Sequence, residues 1–303
     1  MYDCIIIGSG MAGMTSALYL LRANKKVLVI EQESIGGQIA SSPRVENYPG
    51  FKSISGVELT SNLYDQVEEL GAEYEFEEVL GIESNGDIKI VKTDSNSYEA
   101  RAVIIATGCK YRRLNLDRED EFIGNGISFC VACDGAFYND KDVAVIGGGN
   151  SALTIALDLI NYTKSVTIIQ DLPNLTGEAC NVEKILNNPK VNVHYNSKVL
   201  NYIIDKNDEF KGLLINEAGK EKEILVDGIF VSIGTIANTK PFTNITKDAS
   251  NYLLANDLCE TNEAGIFAAG DCKSKKVRQL TTATSDGSIA AISCLNYLKK
   301  FED

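Results

Sequence analysis

Histidine is almost absent from this chain: its 303 residues hold one, His194. That residue sits in the strand-like run VNVHY (191–195) and reads as a strand residue rather than a catalyst or metal ligand. Positive charge is also short. Lys and Arg number 29 against 42 Asp and Glu, and a net charge of −13 excludes the nucleic-acid binders, which need cations to replace the counterions on phosphates. No apolar run approaches the roughly 18 residues that a membrane span requires. No basic n-region or small-residue cleavage site follows Met1, so the chain is expected to be cytoplasmic, with no membrane partner.

Cysteine is present, but a second cysteine pair is missing. Of eight cysteines, Cys4, Cys109, Cys180, Cys259, Cys272 and Cys294 are scattered, and only Cys130 and Cys133 are close in sequence. A zinc site would need two further ligands at suitable spacing, and neither a second C-x-x-C nor a nearby histidine supplies them. Two thiols three apart can instead close a small disulfide ring, and a helix beginning there would stabilise a thiolate. The bland reading is two unconnected structural cysteines. With no histidine beside the pair, Asp134 is the natural proton donor; its bland reading is a helix cap, and the two roles are compatible.

What is there is one unit used twice. The stretch DCIIIGSGMAGMTSALYLLRANKKVLVIEQ from Asp3 aligns without a gap with DVAVIGGGNSALTIALDLINYTKSVTIIQD from Asp142, at an offset of 139 residues. Each reads as strand, glycine turn, amphipathic helix and strand, the opening of a doubly wound nucleotide fold. In the first copy the fingerprint is Gly8, Ser9, Gly10, Met11, Ala12 and Gly13. Gly8 permits the tight turn, Gly10 the approach of a pyrophosphate, and Gly13 close helix packing. Glu31 ends the second strand, placed to accept from ribose hydroxyls. In the second copy Gly147 and Gly149 lead into Asn150 and Ser151, with Ala152 at the third position. The strand closes on Gln170, followed by Asp171. An amide can hydrogen-bond a ribose but lacks the charge assistance of a carboxylate. One step further along a strand would turn Asp171 to the other face, unless Pro173 marks a strand already ended.

With 44% hydrophobic residues the chain can support two full cores. The expected fold is α/β, two Rossmann-like nucleotide-binding domains with the second inserted in the first. The first domain is placed at 1–112 and 243–303 and the central domain, with the cysteine pair, at 113–242.

The chain resembles a low-molecular-weight thioredoxin reductase over nearly its whole length. Five blocks carry the resemblance in order: 8–13, GGQ at 36–38, VENYPG at 45–50, CVACDG at 130–135, and GD at 270–271 followed by RQ at 278–279. The resemblance implies FAD in the first domain, held by the first fingerprint with Glu31 and by Gly37, Gln38, Asn47, Ala106, Thr107, Gly108, Gly270, Asp271, Arg278, Gln279 and Leu280. It implies that Cys133 is the thiol nearest the flavin, Cys130 the thiol that attacks the partner, and Asp134 the acid. It also implies a homodimer without metal, a domain rotation between half-reactions, and a thioredoxin- or glutaredoxin-like substrate.

The departures lie in the donor half. NADPH-linked relatives follow the second strand with His-Arg-Arg and a further Arg, where this chain has Gln170, Asp171, Leu172 and Thr176. No cation remains there for a 2′-phosphate, and Asp171 would repel it. NADPH is therefore expected to be a poor donor. The stretch from Gly147 to Glu178 is similar to the flavoprotein subunit of alkyl hydroperoxide reductase, which prefers NADH but carries Glu at the position of Gln170. NADH is the first expected donor, with ferredoxin or another carrier as the alternative. A flavin-binding sensor remains the non-enzymatic reading.

Overall fold

The computed structural model describes residues 1–42 and 45–301. Along the chain lie β1 (Tyr2–Ile7), α1 (Met11–Arg22), β2 (Val27–Glu31), α2 (Gly56–Glu69), β3 (Glu73–Phe76), β4 (Val79–Asn85), β5 (Ile88–Thr93), β6 (Ser97–Ile105) and β7 (Cys109–Tyr111). There follow α3 (Glu119–Phe122), β8 (Ile127–Ser128), α4 (Val131–Asp134), β9 (Asp142–Ile146), α5 (Asn150–Leu159), β10 (Ser165–Ile169), α6 (Ala179–Leu186) and β11 (Val191–His194). The remainder is β12 (Ser197–Ile204), β13 (Phe210–Glu217), β14 (Lys220–Leu225), β15 (Gly228–Val231), β16 (Thr235–Ala237), β17 (Ile266–Ala268) and α7 (Leu280–Leu298). Among the described residues no helix is long and apolar enough to cross a membrane.

Two compact units result: Met1–Lys110 with Ile236–Asp303, and Tyr111–Thr235. The second is thus inserted in the first. The boundaries fall after residues 110 and 235, against 112 and 242 read from the sequence. The larger difference has a packing cause. Phe242 is 1% exposed within the first unit's core, and the Thr239 hydroxyl donates to the Asn251 carbonyl at 2.6 Å, so the stretch after β16 belongs to that unit. Residues 302 and 303 lie outside the described residues.

The first unit is built on a seven-stranded sheet of order β3-β2-β1-β6-β5-β4, with β17 also paired to β6. Strands β3, β2, β1, β6 and β17 run parallel, while β4 and β5 form an antiparallel return. Both faces are covered, which is why β1 is an unbroken, buried apolar run from Cys4 to Ile7. Cys4 and Ile6 point into the core shared with α1 and α7, and Ile5 and Ile7 into the opposite core with Phe242 and Leu253.

The second unit repeats the plan with a five-stranded parallel sheet, β11-β10-β9-β15-β8. One face packs Val143, Val145, Ile168 and Phe230 against Leu153 and Ala156 of α5. The other packs Ala144, Ile146 and Ile229 against Tyr202, Leu213 and Ile215 of the antiparallel sheet β12-β13-β14. In each unit the first parallel strand of the nucleotide unit, β1 or β9, runs into a glycine turn at Gly8 or Gly147.

Candidate active site

The first cradle lies between β1 and α1. Gly8 has φ +104°, and a Cβ there would stand 2.5 Å from the Ala106 carbonyl oxygen. At Gly13 a Cβ would meet the Gly8 carbonyl oxygen at 1.9 Å, so α1 touches the turn backbone directly. Gly10 differs: the nearest atom to its Cβ position is the Gly36 carbonyl oxygen at 3.9 Å, leaving room for a group to approach the backbone. Met11 and Ala12 begin α1 and are buried. The free N–H groups of this helix start could receive an anion.

Glu31 closes β2 and is fixed from both oxygens. Oε2 accepts the Ser9 N–H and hydroxyl, both at 2.8 Å, and Oε1 accepts the N–H groups of Gln32 and Glu33 at 2.9 and 3.0 Å. The Gly36 N–H donates to the Ser9 carbonyl at 3.1 Å, which brings Gly37 and Gln38, on the short turn Gly37–Ser41, next to the cradle. After β6, Ala106 donates its N–H to Ile7 at 2.8 Å, the Thr107 hydroxyl donates to Asn238 at 2.6 Å, and Gly108 takes φ +67°.

The closing segment joins the same unit. The Gly270 N–H donates to Asp286 Oδ2 at 3.2 Å. Asp271 carries a buried oxygen, Oδ1, with no hydrogen-bond partner; Lys275 Nζ is 3.2 Å away but off the hydrogen-bond line. Burial pushes its carboxyl up, against the opposing pull of Lys275. Arg278 lies over the Tyr252 ring, 4.0 Å from its centroid. Gln279 caps α7 in a reciprocal pair with Thr282 and accepts from Asn47 Nδ2 at 3.4 Å, and Leu280 is the first helical residue. An open glycine turn at a helix start, a fixed carboxylate at the strand end and a buried acceptor awaiting a hydroxyl fit FAD. Gly10 and α1 would take the pyrophosphate, Glu31 the ribose, and Asp271 the ribityl chain.

The second cradle has the same frame and a different lining. Gly147 has φ +118°, and a Cβ there would meet the Ser232 carbonyl oxygen at 2.4 Å. Ala152 is fully buried at the third position. The Thr176 N–H donates to the Gly148 carbonyl at 2.8 Å, the counterpart of Gly36 on Ser9, and Asn150 Oδ1 accepts the Glu178 N–H at 2.6 Å. Gly149 and Ser151 stand at the start of α5, with the Ser151 side chain exposed. Gln170 breaks the parallel with Glu31. It is 3% exposed, lies just past the end of β10, and donates from Nε2 to the Asn174 carbonyl at 3.0 Å. Its amide covers Gly148, where an added Cβ would meet Gln170 Cδ at 2.6 Å. Asp171 is exposed, beyond the strand end, so its side is not set by strand alternation. His194, the last residue of β11, pairs with Glu217 at 2.7 Å.

The cysteine pair is closed: Cys130 and Cys133 form a disulfide with Cα atoms 5.3 Å apart. Cys130 is the N-cap of α4, and its carbonyl accepts the N–H groups of Cys133 and Asp134 at 3.2 and 3.0 Å. Both cysteines are half-buried. Asp134 makes no side-chain cap, so the capping alternative does not hold. Its Oδ2 instead accepts the Ser128 hydroxyl at 2.6 Å, and the same Ser128 oxygen accepts the Cys130 N–H at 3.1 Å. Ser128 was missed in the sequence, where nothing marks a serine two residues before a cysteine. Among the described residues no cluster of three or more His, Cys, Asp or Glu could hold a metal ion.

The profile of the pyridine nucleotide-disulphide oxidoreductase family matches residues 2–287. The thioredoxin reductase of Bacillus subtilis (strain 168) is 40% identical over 305 residues, covering 100% of this chain and 96% of that protein. That of Listeria monocytogenes is 37% identical over 304 residues, covering 100% and 95%. The crystal structure of thioredoxin reductase from Streptococcus pyogenes superimposes with a TM-score of 0.94 at 38% identity, covering 99% of both chains.

Proposed function

The chain belongs to the pyridine nucleotide-disulphide oxidoreductases and, among them, to the thioredoxin reductase family, and from that premise we propose that it reduces the disulfide of a thioredoxin- or glutaredoxin-like protein through Cys130 and Cys133, as a cytoplasmic homodimer. The family implies FAD and a nicotinamide dinucleotide. The observation that carries the reading is the closed Cys130–Cys133 disulfide with Asp134 and Ser128 against it, in a chain that also holds a cradle fitted to FAD. Bound FAD supplies a two-electron relay between the donor and this disulfide.

The protein's own residues do the rest. In the dithiol form, the Cys130 thiolate attacks one sulfur of the partner disulfide, forming a mixed disulfide and expelling the other partner sulfur as thiolate. Cys133 then attacks Cys130 Sγ, restoring the intramolecular disulfide and releasing the second partner thiolate. Asp134 is the proton carrier for the cysteine sulfurs, since no imidazole is near them in sequence.

The proposed donor is NADH rather than NADPH. The loop from Asp171 to Glu178 holds two acids and no Lys or Arg, so a 2′-phosphate would meet repulsion without compensation. A second reading is favoured by one observation, the burial of Gln170 against Asn174, which withdraws the ribose-facing amide. Under that reading the donor is ferredoxin or another carrier, and the second unit is a scaffold. Anaerobic addition of NADH, NADPH and reduced ferredoxin in turn to the FAD-loaded protein decides between them. Bleaching of the flavin band by NADH supports the first reading, and bleaching by ferredoxin alone supports the second. Sustained reduction of thioredoxin excludes a sensor.

A further inference from the structure

We propose that Ser128 is a positioning residue for the proton carried by Asp134, and that its hydroxyl reports the charge of Asp134 to the backbone of Cys130. The inference rests on Asp134 as the acid. Ser128 ends β8, an edge strand held to β15 by the pairing of Ser128 with Phe230, and it is 3% exposed. Its oxygen has three neighbours: Asp134 Oδ2 at 2.6 Å, the Cys130 N–H at 3.1 Å, and the Cys130 carbonyl oxygen at 3.4 Å.

A serine hydroxyl has one hydrogen to donate and two lone pairs to accept with. One lone pair is taken by the Cys130 N–H. With Asp134 ionised, the hydrogen goes to Oδ2, the shorter and charge-assisted contact. With Asp134 protonated on Oδ2, that oxygen donates to the second lone pair, and the Ser128 hydrogen turns to the Cys130 carbonyl. The contact to Asp134 therefore survives both states, and the side chain need not move when a proton passes between it and a cysteine sulfur. The Cys130 carbonyl also accepts from the N–H groups of Cys133 and Asp134, so the turn of the hydroxyl acts on the carbonyl that closes the turn between the two cysteines.

The sign follows from the stronger bond. A hydrogen bond to the carboxylate favours its charged form, so loss of the Ser128 hydroxyl favours the protonated form of Asp134; the nearby Tyr138 phenol, pushed up by burial and by Asp134, stays neutral throughout. When the partner oxidises the dithiol, the cysteine sulfurs give up their protons, so the reaction limb needs ionised Asp134 to accept them and rises as pH rises through that titration. In Ser128→Ala the limb moves to higher pH by about one unit. Ser128→Thr, which keeps the hydroxyl, leaves it in place.

The test uses FAD-loaded protein reduced chemically to the dithiol, freed of reductant, and mixed anaerobically with thioredoxin disulfide across pH, so that the donor plays no part. Wild type, Ser128→Ala, Ser128→Thr and Asp134→Asn are compared. The expected result is a limb lost in Asp134→Asn, displaced upward in Ser128→Ala and restored in Ser128→Thr. Superimposed limbs for wild type and Ser128→Ala, with the limb still lost in Asp134→Asn, overturn the inference alone. A limb retained in Asp134→Asn removes the acid assignment and the inference with it. Melting curves of the oxidised proteins show whether Ser128→Ala is folded. If it is not, Ser128→Gly replaces it in the same comparison.

Discussion

The side-chain amide of Gln170 donates to the carbonyl oxygen of Asn174 at 3.0 Å, whereas its counterpart Glu31 accepts both donors of Ser9 at 2.8 Å. One strand end closes on its own loop; the other braces the glycine turn. A carboxylate has acceptors only and cannot make the bond to Asn174. Gln170→Glu should therefore leave that carbonyl and become free to face a ribose, the role proposed for Glu31. The Kd for NADH, by titration calorimetry, is expected to fall about tenfold, or ~1.4 kcal/mol, within the range of a charge-assisted hydrogen bond. An unchanged Kd would mean that the loop itself, and not the residue at 170, sets the affinity.

Gly13 and Ala152 occupy the same motif position in the two copies, yet only one tolerates a methyl. A Cβ on Gly13 would stand 1.9 Å from a backbone oxygen, while Ala152 is buried with its methyl 3.5 Å from the Cβ position of Gly147. Gly13→Ala is expected to cost about 1–3 kcal/mol of stability and to lower the flavin content. Ala152→Gly should cost about 0.5–1 kcal/mol and leave flavin content unchanged. Denaturant melts and the flavin-to-protein absorbance ratio check both.

Asp271 is expected to trade stability for cofactor binding. Its Oδ1 is buried without a hydrogen bond, and burial raises its carboxyl above the usual 3.8. Between those two values the folded chain binds more protons than the unfolded one, so stability without cofactor falls as pH rises through that interval and stays lower above it. Asp271→Asn removes this fall. Near neutral pH the flavin-free variant is expected to be about 1 kcal/mol more stable than the flavin-free wild type, and to bind FAD more weakly. Melting across pH, with and without FAD, tests both halves. A flavin-free variant less stable than wild type would show that the Lys275 contact outweighs the burial.

Much of this was legible because it is local. Unbroken β-branched runs, a glycine turn and an amphipathic helix mark each nucleotide unit, and the repeat at an offset of 139 residues exposes their common plan. The antiparallel sheet β12-β13-β14, which covers one face of the second unit, has no such punctuation. Neither the inward turn of Gln170 nor the Ser128–Asp134 contact could be read from spacing, because both depend on where a loop places a carbonyl or a strand end places a hydroxyl. The domain boundary at 235 was also hidden, since Phe242 looks like any apolar residue until its core is known.

The central claim is that electrons reach the protein substrate through Cys130 and Cys133. The most direct measurement supplies the FAD-loaded protein with reduced methyl viologen, which needs no nicotinamide site, and counts thiols formed in thioredoxin under anaerobic conditions. Wild type is expected to turn over many times, and Cys130→Ser and Cys133→Ser to stay at the background rate while keeping their flavin. Thioredoxin reduced equally well by the serine variants would contradict the account.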